Sequence, residues 1–246
     1  MKMNNILLLV LMLIIASCTD VNNSKNLAVS LHDKPLIEVQ PQPRPLPNPD
    51  KNAYFGDLHV HTENSFDAYT FGTISTPADA YKYAQGHAIQ HPSGYLIQLS
   101  KPLDFYAVTD HGIFMGLMKE AADTTSEFSK YEFTKPLHNL NESGGTGFFF
   151  FFYRNGLFRL FGANVRAWLA DGSIDGSLIL EVGRTVWQKT IKAADDAYVP
   201  GSFTSFAAYE YTPSLELYNN YLHRNVIFKD TKNLPAQLFT RNDSQD

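Results

Sequence analysis

The chain has 246 residues, a formal net charge of -5 and 44% hydrophobic residues, enough for one large domain or two small ones with a buried core. The mild acidity excludes a basic surface for nucleic acid, and no nucleic-acid partner is expected. One cysteine, Cys18, excludes an intrachain disulfide and any cysteine-rich zinc site.

The N-terminus opens with a short, weakly positive segment, and residues 6–15 are then continuously apolar. That run is short for a bilayer span and has the length of a signal-peptide core. It ends in Ile15-Ala16-Ser17-Cys18, small residues before a cysteine, which resembles a bacterial lipobox. The expectation is a lipoprotein signal peptide over residues 1–18, with Cys18 lipidated after cleavage. A secretory signal with an incidental cysteine is the alternative. The lipid would place the protein in the cell envelope, on the periplasmic side of a membrane. Thr19 after the cysteine, by resemblance to Gram-negative lipoproteins, favours the outer membrane. Residues 19–52 are polar and then proline-rich, from Pro41 to Pro49. They are expected to form an extended tether ahead of the folded part, residues 53–246.

The folded part begins with a strand over residues 53–60. In an extended strand, residues i and i+2 share a face. His59 and His61 therefore converge on one cation, while Leu58 and Val60 pack on the other side. Thr76 as N-cap and Pro77 at the first helical position start a helix that Gly86 stops. Pro92-Ser93-Gly94 between two apolar alternating runs predicts a hairpin carrying His87 and His91, both read as surface or turn residues. Residues 103–109 form a second strand, closing on Asp110 and His111. Residues 114–122 have helical spacing, and residues 123–147, with His138, read as loop. Phe148 to Phe152 follow no period, and a buried helix is the plain reading. A helix over 179–197 offers an apolar face and ends at Pro200-Gly201. A third strand over 203–212 carries Glu210 among apolar and aromatic neighbours, where a buried carboxylate needs a cation or several donors. His223 stands at the start of a fourth strand. Ligands at strand ends are how a β/α barrel builds its active site.

The set Asp57-Leu58-His59-Val60-His61-Thr62, with Ser65 and Asp67, resembles the first motif of the polymerase and histidinol phosphatase (PHP) superfamily. Val108-Thr109-Asp110-His111 resembles its second, and Glu210 then His223 its third and fourth. More closely, residues 53–240 are similar to a branch whose members are often secreted or lipid-anchored and carry a domain-of-unknown-function label. The resemblance implies an α/β fold, a distorted TIM-like β/α barrel of PHP type. It implies a site of two or three divalent metal ions, zinc, manganese or iron. His59 and His61 would bind the first metal, Glu210 would bridge the first and second, and His223 would bind the second. Asp67 and His111 would belong to a third position. Asp57 and Asp110 would orient the imidazoles from behind. Arg224, beside His223, is a candidate to grip a phosphate, or a surface arginine.

The superfamily pattern also calls for later ligands, a histidine and then an Asp-x-His pair. The chain has no histidine after His223 and closes on a polar stretch, 241–246. The expectation is therefore a partial barrel, truncated at its C-terminus and lacking the last ligands, that binds metal weakly and turns over poorly alone. The leading functional expectation is a metal-dependent hydrolase, a phosphoesterase acting on a small, phosphorylated substrate, with Glu210 and Arg224 as catalytic groups. An amidase or lactonase on the same scaffold, and a surface lipoprotein that binds a ligand without catalysis, are the alternatives.

Overall fold

The computed structural model describes residues 37–40, 42–142, 148–212 and 222–239, with only the backbone of residues 148–150. The expected signal peptide, Cys18, the first half of the tether and the closing stretch 241–246 lie outside the described residues. Among the described residues, no helix is long and apolar enough to cross a membrane.

A mixed α/β fold is built on a curled sheet of four strands. These are β1 (Gly56–Val60), β4 (Phe105–Val108), β5 (Thr204–Tyr211) and β6 (Arg224–Ile227), in that spatial order. β1 pairs parallel to β4, β4 parallel to β5, and β5 antiparallel to β6. The expected hairpin forms from β2 (Ile89–Gln90) and β3 (Leu96–Ile97), antiparallel and apart from the main sheet. The curl is measurable in one bond: Asn225 Nδ2 on β6 donates to the Leu58 carbonyl on β1 at 2.7 Å. Three flat strand spacings of about 4.8 Å would keep those strands far apart. The sheet therefore makes a half-barrel; a complete TIM-like barrel is not seen in the described residues.

Local chemistry explains the elements. Helix α1 (Phe66–Thr70) is a short turn after β1, and α2 (Pro77–Ala84) begins where expected. Thr76 accepts from the Asp79 amide while Asp79 accepts from the Thr76 amide, a full capping box. α2 packs against the sheet through Tyr81, whose hydroxyl donates to the Phe206 carbonyl at 2.8 Å and accepts from Val108 N. Burial raises the pKa of that phenol well above its ordinary value. Helix α3 (Leu117–Ala122) lies within the stretch expected to be helical, and two 3-10 turns, Phe128–Lys130 and Glu132–Leu137, occupy part of the stretch read as loop.

Two long helices, α4 (Phe148–Ala170) and α5 (Gly176–Ala197), carry the chain from β4 back to β5. The helix at the phenylalanine run is present, but the expectation of burial fails at Phe151 and Phe152, 53% and 58% exposed. The face that α4 buries consists of Arg154, Leu157, Phe161 and Val165. Those spacings of three and four put one stripe against α3 and the 3-10 turns. A second apolar cluster lies between α2, α5 and the sheet, centred on Trp187 and Tyr209.

The second half of the expected tether is docked on the domain rather than free. Gln98 exchanges hydrogen bonds with the backbone of Ile37, and Arg44 N donates to the Gly201 carbonyl at 2.8 Å. The Arg44 guanidinium contacts Thr204 and lies over the Tyr54 ring. A proline-rich segment lacks donors for a ladder, yet its carbonyls and flanking side chains still bond a sheet end.

Candidate metal centre

Four segments bring ligands to one end of the half-barrel. β1 delivers His59 and, one residue past its end, His61. The continuation of β4 delivers Asp110 and His111, which bridges in parallel to Glu210 on β5. His223 immediately precedes β6. α1 adds Asp67 from the loop that follows β1.

Glu210 is the centre of the cluster, and its side chain is only 1% exposed. His61 Nε2 lies 2.8 Å and His59 Nε2 3.2 Å from Glu210 Oε2, with His111 Nδ1 at 3.7 Å. His223 Nδ1 is pressed against the other oxygen, Oε1. Oε1 is nevertheless buried without a hydrogen bond of acceptable geometry. Oε2 has two lone pairs for three imidazoles, and an orphaned buried carboxylate oxygen is costly. A cation between these groups removes both difficulties.

Asp67 organises the opposite side. Its Oδ1 lies 3.2 Å from His61 Nδ1 and its Oδ2 3.4 Å from His111 Nε2. Ser65 donates to Asp67 Oδ1 at 2.6 Å and accepts from the His111 amide at 3.2 Å. Burial alone would raise the Asp67 pKa, but hydrogen bonds from His111, His61 and Ser65 hold it far below the ordinary carboxylate range. Burial alone would lower the pKa of His61, but its hydrogen bond to Asp67 and the nearby carboxylates raise it. With a proton on Nδ1 facing Asp67, neutral His61 aims its Nε2 lone pair at Glu210, so two acceptors face each other. That pairing fits either a second proton or a metal ion.

Three overlapping groups could hold a cation: His59, His61 and Glu210; His61, Asp67 and His111; His111, Glu210 and His223. The donor set, imidazole and carboxylate, suits zinc, manganese or iron without choosing between them. A neutral imidazole has one lone pair, so His61 and His111 cannot each serve two groups. Filling the two outer groups uses both oxygens of Glu210 and leaves Asp67 to orient the two shared rings. Filling the middle group takes those rings away from Glu210. The chain thus offers a bridged pair or a single central ion, and a third simultaneous position lacks ligands among the described residues.

The other residues expected near the site are placed differently. Asp57 Oδ1 accepts from the His59 amide at 3.0 Å. Asp110 is fully buried and accepts from the Thr62 amide at 2.5 Å and the Thr62 hydroxyl at 2.7 Å. Burial pushes its pKa up to about 6 despite those bonds. Both aspartates therefore fix backbone, and Asp67 is the carboxylate that touches imidazoles. Arg224 is exposed and beside the cluster in sequence, and among the described residues its guanidinium contacts the Leu222 carbonyl. His138 bonds the Ser129 carbonyl, His91 stacks on Tyr95, and His87 is exposed; none joins the cluster.

Sequence reasoning missed Thr212, whose hydroxyl meets His111 Nδ1 at 2.6 Å, and Phe66, whose ring covers His111 with centroids 5.1 Å apart. The Thr212 contact follows from the β4–β5 register, for which a single sequence carries no signal. Phe66 could have been sought, since it sits between Ser65 and Asp67 of the first motif.

A family model described as "Protein of unknown function (DUF3604)" matches residues 48–246. No curated protein and no solved structure matches the chain.

Proposed function

The chain belongs to the DUF3604 family of proteins of unknown function, and from its site we propose a metal-dependent hydrolase acting on phosphoesters. The observation that carries the reading is Glu210, a buried carboxylate with imidazoles against both of its oxygens and one oxygen lacking a sound hydrogen bond. When bound, two divalent cations would lower the pKa of a shared water and neutralise charge developing on a phosphoester. Glu210 would set their separation, with His59 and His61 on one side and His111 and His223 on the other. Asp67 would hold the tautomers of His61 and His111, and the Thr212 hydroxyl would give up His111 Nδ1 to the ion. Arg224, exposed and with no carboxylate on it among the described residues, would grip phosphate oxygens. The order of the ligands along the chain supports placing this family beside the PHP superfamily, with zinc, manganese or iron as the ion. The leader sequence supports a lipid anchor at Cys18 and a place in the cell envelope.

The test is metal content by elemental mass spectrometry, with hydrolysis of 4-nitrophenyl phosphate, an anilide and a lactone measured side by side. Bound metal, lost in H59A/H61A, with any cleavage confined to the phosphoester, is expected. Metal with cleavage only of the anilide or lactone would move the assignment to an amidase or lactonase. No metal would overturn the hydrolase and favour a ligand-binding lipoprotein.

A further inference from the structure

Away from the metal ligands, a cavity of about 320 Å³ opens between the end of α1, the β2–β3 hairpin and α4. Its lining includes Phe71, Gln90, His91, Ser93, Asn141 and Arg154. Neither the five proposed metal ligands nor Asp67 contributes to it. The feature that sets it apart is Arg154, a residue only 6% exposed in the cavity wall.

Arg154 is held but not neutralised. Its Nη1 donates to the Thr70 carbonyl and to Asn141 Oδ1, both at 2.7 Å, and its Nη2 donates to the Leu140 carbonyl at 2.9 Å. All three acceptors are uncharged. Among the described residues no carboxylate forms an ion pair with it. Buried charges are normally paired, because carbonyl dipoles orient a cation without cancelling its field. The rest of the lining supplies neutral donors and an imidazole rather than acids, so nothing on the wall competes for the positive charge. The spare N–H groups of a planar guanidinium match the oxygens of a carboxylate, sulfate or phosphate.

The cavity is also close to the proposed reaction site. Asp67 touches His61 and His111, and Phe71, four residues on, lines the cavity. Four residues of helix rise about 6 Å. The Glu63 amide donates to the Ser75 carbonyl at 2.9 Å, which ties the far wall to the motif itself.

We propose that this cavity is an anion subsite, in which Arg154 and its polar neighbours receive a negatively charged group of the substrate remote from the bond being cleaved. The anion site stands on the cavity and Arg154; its use by a substrate rests on the hydrolase reading. The substrate class is then a phosphoester that carries a second anionic group.

Sodium sulfate is the probe, titrated calorimetrically into the metal-loaded full chain, with sodium chloride at matched ionic strength as control. N141D puts a carboxylate on the oxygen that already accepts from Arg154, and H91E puts one on the half-buried hairpin wall, outside both apolar clusters. Saturable sulfate binding is expected in the unaltered chain and in H59A/H61A, at least tenfold weaker in N141D and several-fold weaker in H91E. If N141D does not fold, H91E decides. No saturable binding to the unaltered chain overturns the subsite. Binding unchanged in both acidic variants, or lost only in H59A/H61A, also overturns it and assigns sulfate to the metal centre. Absence of metal from the unaltered chain would sink the hydrolase while leaving the sulfate result intact.

Discussion

At the scale of single residues, Glu210 and Asp67 are both acids among histidines but have different work. Glu210 has imidazoles against both oxygens, whereas Asp67 receives the far nitrogens of two of the same rings. E210Q keeps the shape and removes the bridging charge; elemental analysis should find the paired ions lost. D67N keeps a hydrogen-bond acceptor and removes the charge that fixes two tautomers. Metal affinity should fall by about 10–100-fold with the fold intact, as for other partners that orient metal-bound imidazoles. Thr62 supports the site from beneath, with its amide and hydroxyl on Asp110. T62V strips the hydroxyl from a buried acceptor and should cost about 1–3 kcal/mol in urea unfolding.

At the scale of elements, two contacts decide where segments enter the fold. Thr76 caps α2 in a reciprocal pair with Asp79, and T76A should lower stability by about 1 kcal/mol through the lost cap. Gly116, at φ +75°, lets α3 start against α5, and a Cβ there would stand 2.5 Å from Val186 Cγ2. G116A should lose about 1–3 kcal/mol in the same assay, from overpacking and backbone strain together. The capping box and Pro77 were legible in the sequence because they are local. So were His59, His61, His111, Glu210 and His223, because strand alternation and strand ends announce them. α4 was legible only at its start: a helix was expected at the five phenylalanines, but they mask the period, and Arg154 occupies a core position where an apolar residue would have completed the stripe. The role of Asp67, the Thr212 contact and the docked segment from Ile37 depend on register and tertiary approach, which one sequence does not encode.

At the scale of the whole molecule, a cation held by the cluster would join the segments after β1 and β4 to β5 and the start of β6. Ligands that bind only the folded state stabilise it by mass action, about 2.7 kcal/mol at a hundredfold excess over Kd. Zinc or manganese should therefore raise the melting temperature of the metal-free chain, and H223A should blunt the rise by removing the ligand that β6 brings. A scan in which neither ion moves the melting temperature would remove the metal from this account.

The bond from Asn225 to the Leu58 carbonyl spans 167 residues, and the contact from His61 to Glu210 spans 149. Such distant pairings form late, since the entropy of closing the intervening loops is lost before the contacts compensate. The cup cannot close on an ion until its outer staves have met, so any metal would be captured by a nearly finished vessel and would not shape the early collapse. Stopped-flow refolding should show the same rate with or without metal in the refolding buffer, while unfolding becomes slower in its presence.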